Sequence, residues 1–371
     1  MFIGGLLFLV SIALIGAIFT LYDLSRPFFV HGVFVLAALP LMWSALLHFI
    51  PVLTRSGGPA LGLRLLPLLA FLAAGLLLTV FAGALLRHVL LASALAVGVG
   101  SAVLLGWSLR RVGRAIGKPH PGVYWYVAAL ACLLAGLAAA FGIVLDVARY
   151  PLWYGFHLHI NLLGWIGLTV LGTLPVLLPT NLQKFDPNAT FRLQLGLPWA
   201  ISGVIAIALA AALRQPILGT FGALGLMLLI GAHWRAWFRL YGAPWRWPGP
   251  GQSLFLGSGF LFLLLSAGLA HGFGLLSGAA MLPAFAAGFL LSTVLGALAQ
   301  LLPVWRFPGA DSAARRAMAC ALAHGAGVRG VLCVLAGLGQ LLNLAAAMAF
   351  AGLAVLWLLL AVLWSTRRQS R

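Results

Sequence analysis

Histidines are the residues of this 371-residue chain best suited to chemistry, and there are nine of them. Ligand-type side chains inside apolar segments cost free energy and are functional candidates for that reason. Four stand out by position: His31, His157, His159 and His271. Neutral imidazole is the usual protein ligand of haem iron and also suits copper. The chemistry expected of them is therefore cofactor binding. His31 would supply one axial ligand to a b-type haem, with His157, His159 or His271 opposite. Copper is the second metal this donor type accepts, and His31, His157 and His159 are the residues that would hold a metal. Residues two apart on a helix point about 200° from each other, so His157 and His159 should serve different directions. Along the same helix His157, Asn161, Gly164, Leu168 and Gly172 form a stripe of mostly small or polar residues. Such a stripe would admit a flat macrocycle, or it would let a second helix pack closely.

The other histidines carry less. His88, His120 and His233 fall at loops or segment ends, where a solvated role is expected. His48 lies about 25 Å from His31 along one helix, at 1.5 Å per residue. Cys132, Cys320 and Cys333 are scattered and form no CxxC or CxxCH motif, so disulfide, zinc and covalent haem attachment have no support.

The elements that must position these residues are membrane helices. Apolar residues make up 63% of the chain and charged residues 7%, with four aspartates and no glutamate. A soluble surface carries roughly 25% charged residues. The net charge of +18 would suggest nucleic acid in a soluble protein, but here the basic residues sit between apolar runs. That placement points to topology and anionic lipid headgroups in the bilayer, and no nucleic-acid partner is expected. About 20 apolar residues cross the hydrocarbon. Twelve such runs lie near 2–21, 28–53, 62–86, 88–108, 122–146, 153–179, 192–213, 215–238, 251–272, 276–304, 326–343 and 345–365. The first lacks a basic leader and a cleavage site, so it reads as a span. The stretch from Ala317 to Trp364, with His324 and Arg329, is long for one span and short for two.

Charge orients the runs. Arg26, Arg87, Arg149 and Arg214 fall in odd-numbered connections and Arg329 is unassigned, which leaves 17 of the 22 Lys and Arg on the other side. That bias predicts both termini in the cytoplasm of a bacterial-type inner membrane, multi-pass. The four candidate histidines then share the outer leaflet. Trp107, Trp125, Trp153, Trp305 and Trp364 flank loops and are expected to form an interfacial belt. No long linker interrupts the chain, so residues 1–371 are expected to form a single transmembrane domain.

A repeat is superimposed on the spans. Runs 2, 6 and 10 each end in a proline: Pro51, Pro179 and Pro303, 128 and 124 residues apart. His31, His159 and Pro283 each stand twenty residues before their proline. The fold class expected is thus an all-α polytopic bundle of about twelve transmembrane helices, a pseudo-threefold repeat of four-helix units.

At these residues the sequence resembles the haem-copper oxidase subunit I superfamily. His31 is followed by Pro40, Leu41 and Met42 as a haem-ligating histidine is in that family's second helix. The stretch from Leu152 to Thr180 is similar to the sixth helix of the cbb3-type oxidases, and that match would make His159, or else His157, a copper ligand. HLHINLLGW also looks like the HxH of the family's tenth helix. The segments SRPFF and PVLTRSGGP resemble the NnrS family, twelve-helix haem- and copper-containing membrane proteins linked to nitric-oxide tolerance. Departures accompany the likeness: run 7 has no histidine pair, run 10 has no HxH, and buried carboxylates are scarce. A proton-pumping terminal oxidase is therefore not expected.

The function this reading favours is a haem-binding membrane protein, with copper as a further metal, acting in electron transfer or nitric-oxide handling. Its partners would be the bilayer and a redox protein or small gas ligand. The alternatives are a copper carrier or assembly protein and a metal-free transporter. The first would want thioethers beside the imidazoles, and Met42 is the only one on the runs bearing His31, His157 and His159. The second would want acidic relays that this chain lacks.

Overall fold

The twelve apolar runs fold as twelve long helices, and no strand occurs among the described residues. A computed structural model describes residues 1–21, 25–83, 87–309, 311–344 and 346–367. Asp23, Arg368, Arg371 and the end of run 3 at 84–86 lie outside the described residues. In chain order the helices are α1 (Phe2–Leu21), α2 (Arg26–Leu53), α3 (Leu61–Phe81), α4 (Arg87–Gly113), α5 (Gly122–Leu145) and α6 (Val147–Leu182). They continue with α7 (Ala189–Leu213), α8 (Pro216–Tyr241), α9 (Gly249–Gly272), α10 (Met281–Arg306), α11 (Ala313–Leu341) and α12 (Ala347–Arg367). Eleven of them are long and apolar enough to cross a membrane, and α1 is a shorter apolar helix of the same character.

Helices α2, α6 and α10 form the centre. Their most apolar windows are 72%, 78% and 83% buried, against 22–44% for the other eight long spans. Packing follows one rule repeated three times. Helix α2 packs on α1, α3 and α5; α6 on α5, α7 and α9; α10 on α9, α11 and α1. Each set becomes the next by stepping four helices forward, and the contact of α12 with α1 closes the ring. The three inner helices enclose a small apolar cavity of about 90 Å³ lined by Met42, Phe49, Thr169, Thr173, Val294 and Leu298.

Two local features repeat with the prolines. Each inner helix widens into a π-helical segment, at Gly32–Ala38, Ile160–Gly167 and Phe285–Leu291. A π turn accommodates an extra residue between otherwise regular helical stretches, and hydropathy carries no trace of it. The second feature is a close crossing at Ser44, Gly172 and Gly296, spaced 128 and 124 residues apart like the prolines. A Cβ on Gly172 would enter the Trp125 side chain of α5, and one on Gly296 would lie 3.0 Å from the Pro250 carbonyl oxygen of α9. In the first unit the missing atom is on the other helix: a Cβ on Gly4 of α1 would lie 2.5 Å from Ser44 Oγ. Membrane helices associate through such small residues because lipid offers no hydrophobic drive between them.

Many buried hydroxyls bond within their own helix, since lipid cannot hydrogen-bond them, while Ser253 and Ser292 bond each other's carbonyls between α9 and α10 at 2.7 and 3.0 Å. Ser44 donates to the Pro40 carbonyl (2.9 Å), Ser101 to Val97 (2.7 Å) and Thr169 to Trp165 (2.7 Å).

The ambiguous stretch resolves into two spans. Helix α11 breaks between Ala313–Ala323 and Ala326–Leu341, where Gly325 takes φ +69°. Arg329 is fully buried, yet it donates to the His324 carbonyl (2.9 Å) and the Leu322 carbonyl and lies over the Trp357 ring. It caps the broken helix end, whose free carbonyls carry negative partial charge. The expected tryptophan belt is corrected in part: Trp107, Trp125 and Trp305 are buried among helices, while Trp364 is exposed. Trp125 is drawn inward because Gly172 leaves room for its ring and the Leu193 carbonyl accepts its indole N–H at 3.0 Å.

Candidate functional site

The four candidate histidines stand at one end of the bundle. His31, His157 and His159 lie in the opening turns of α2 and α6, and His271 closes α9. The prolines Pro51, Pro179 and Pro303 lie toward the opposite end of α2, α6 and α10. Positions 31 and 159 are locally equivalent. His31 Nδ1 bonds the Pro27 carbonyl at 2.8 Å, and His159 Nδ1 bonds the Gly155 carbonyl at 2.9 Å, each four residues earlier. Each histidine directly precedes its π-helical segment.

The other two are held by neighbouring backbone. His157 Nδ1 bonds the Gly136 carbonyl of α5 at 2.8 Å. The Asn161 amide, 3.3 Å from the same nitrogen, is committed to the His157 carbonyl at 2.7 Å. His271 Nδ1 bonds the Leu276 carbonyl at 2.9 Å. A carbonyl only accepts, so in all four rings Nδ1 carries the proton and Nε2 keeps its lone pair. A backbone bond of this kind fixes tautomer and ring direction in metal-ligating histidines.

The His31 ring packs on Phe81 of α3, with centroids 4.7 Å apart. His157 contributes to the electrostatic surroundings of His31, and His271 to those of His159. His157 is turned to α5 by its bond to Gly136, whereas His159 bonds within α6. Among the described residues no three His, Cys, Asp or Glu side chains are placed to hold a metal ion together.

The small-residue stripe is filled by protein. A Cβ on Gly164 would lie 2.7 Å from Cys132 Cβ, one on Gly172 would meet Trp125, and one on Gly136 would meet the Asn161 side chain. Its purpose is the crossing of α5 with α6, and it offers no slot for a macrocycle. His233, expected to be solvated, is 3% exposed, stacked on Trp237 with ring centroids 5.6 Å apart, and neither ring nitrogen has a partner. The reason is that α8 extends to Tyr241, so residue 233 lies two turns inside its end. His48 packs edge-on to Trp305, His120 accepts the Gly122 N–H at 3.2 Å, and His88 is exposed. Asp186 is buried and paired with Arg192 at the proline end, away from the four histidines.

Sequence reasoning missed one contributor. Gly136, in an apolar run, supplies the carbonyl that orients His157, and nothing in its type signals that. Comparison with protein families, with curated proteins and with solved structures returns no match for this chain.

Proposed function

We propose that the chain is a haem-binding membrane protein acting in electron transfer, with His31 and His157 as the axial ligands of a b-type haem. The observation that supports the reading is that two imidazoles at the same end of the bundle, on different helices, each have Nδ1 bonded to a backbone carbonyl, which leaves Nε2 to ligate. Two imidazoles suffice for a haem, because the porphyrin supplies the remaining four ligands of the iron. A bare metal ion would want more protein donors than the described histidines gather at one place.

The group, when bound, would supply one-electron chemistry. The chain's own contribution is to hold both imidazoles neutral and pre-oriented in an apolar setting. Helix α2 provides His31 through its own Pro27 carbonyl, and α5 provides the fixed direction of His157. Two axial imidazoles leave no open position on the iron, which favours electron transfer over binding a gas such as nitric oxide. The arginine-poor histidine end then faces outward, in reach of a redox partner outside the membrane.

The test is a pyridine haemochrome assay with optical spectra on the detergent-purified protein. One b-type haem per chain is expected, low-spin and unresponsive to carbon monoxide. His31→Ala and His157→Ala should each lose most of the haem or turn it high-spin, while His48→Ala should change neither. A protein without a Soret band, or one whose band survives both substitutions unchanged, overturns the reading.

A further inference from the structure

A cavity of about 460 Å³ lies at the proline end, between the close of α6, the start of α7 and the connection that leads into α5. That volume is within the range of small-ligand sites. The cavity stands at the opposite end of α6 from His157 and His159, so it is independent of haem at His31 and His157.

Its polar wall is unevenly satisfied. The Thr180 hydroxyl donates to the Val176 carbonyl (2.8 Å) and the Gln183 amide to the Thr180 carbonyl (2.9 Å), so both are committed to the end of α6. His120 accepts the Gly122 N–H through Nδ1 at 3.2 Å. A backbone N–H only donates, so the neutral ring carries its proton on Nε2, which has no acceptor among the described residues. The Lys184 ammonium and the Thr190 hydroxyl likewise make no hydrogen bond among the described residues. Asp186 is the one acid in the wall, and its carboxylate is engaged by Arg192 and by the Asn188 N–H at 3.2 Å. The wall is left with three free donors and the positive charge of Lys184.

We infer that the cavity binds the phosphodiester headgroup of an anionic phospholipid, with Lys184 supplying the charge and His120 and Thr190 the hydrogen bonds. Phosphate oxygens only accept, which suits donors that lack acceptors. A phosphodiester carries a single negative charge, which one ammonium balances, whereas a phosphate monoester carries about −1.5 to −2 at neutral pH. The place suits a lipid as well. The cavity opens where α6 ends and α7 begins, at the level of the headgroups, and basic pockets between membrane helices hold anionic headgroups. From the residue after Thr190, α7 presents Phe191, Leu195 and Trp199 at four-residue spacing, each more than half exposed. Residues four apart share one helix face, so this is an apolar track along which an acyl chain would lie.

Native mass spectrometry of the delipidated full-length protein, titrated with phosphatidylglycerol, tests the assignment. One tightly held lipid per chain is expected. Lys184→Gln and Thr190→Val should each weaken that binding about tenfold, the scale of one hydrogen bond to a charged group, and the double variant should weaken it further. Neither side chain is bonded within the fold, so the Tm without lipid should stay the same. Arg239→Gln, at an exposed basic residue outside the cavity, should leave binding unchanged. Phosphatidylcholine, whose choline cancels the phosphate charge, should bind more weakly than phosphatidylglycerol. Undiminished affinity in the double variant, or an equal loss in Arg239→Gln, overturns the assignment. Displacement of the lipid by millimolar inorganic phosphate in the wild type, and not in Lys184→Gln, would give the cavity to a soluble phosphate compound and overturn the lipid.

Discussion

His157 donates its Nδ1 proton to the Gly136 carbonyl across 2.8 Å, so a ring on α6 is aimed by a backbone group on α5. The bond forms because Gly136 has no side chain: Asn161 fills the space where a Cβ would be and bonds the His157 carbonyl at 2.7 Å. Helix crossing and the orientation of His157 are thus one feature at this point of the molecule.

Gly136→Ala should expose that coupling. Its methyl would collide with the Asn161 side chain, and overpacking a filled site costs about 1–3 kcal/mol. The expected outcome is a lower Tm together with weaker haem retention, measured on one preparation by thermal unfolding and by absorbance. A variant with a lowered Tm and unchanged haem affinity would show that the glycine serves packing alone.

The repeat-related crossings should respond alike. Gly172→Val and Gly296→Val each drive a side chain into the first helix of the unit, at Trp125 and at Pro250. Both should lower Tm by several degrees. Gly75 of α3 has nothing within 4 Å of its would-be Cβ, so Gly75→Ala should gain up to about 1 kcal/mol from helix propensity. Thermal unfolding of the three variants in one detergent ranks them. Equal tolerance at 172, 296 and 75 would contradict the crossing geometry.

Arg329 is expected to be structural. Its guanidinium closes two carbonyls at the break in α11 and covers Trp357. Arg329→Ala leaves those acceptors unpaired, at about 1–3 kcal/mol for each buried group left unsatisfied. Expression and Tm should fall, and haem content per folded protein should not. Arg329→Lys should recover only part of the loss, because one ammonium lacks the planar fork that reaches both carbonyls.

Orientation is read from charge and is open to direct measurement. Reporter fusions after Arg114 and Arg246 should report the cytoplasm, and fusions after Gly83 and Gly274 the opposite side. The basic excess flanking the first two positions motivates the expectation. A reversed pattern would place the histidine end inside and move any redox partner with it.

By itself the sequence determined the membrane class, the twelve spans and the repeat, because burial in lipid demands long apolar helices whatever their neighbours are. The prolines at 51, 179 and 303 marked the inner helices, since only helices repeated in the architecture kept that spacing. The depth of the four histidines also followed from position along a span. Their direction did not. Which side of a helix a ring faces depends on crossings set by Ser44, Gly164 and Gly172, and on the π turns that change helical phase within α2, α6 and α10. The stripe beside His157 looked open in sequence because its fillers, Cys132 and Trp125, belong to another helix. Tertiary structure alone decided the directions of His157 and His271, for the carbonyls of Gly136 and Leu276 that hold these rings come from backbone outside each histidine's own helix.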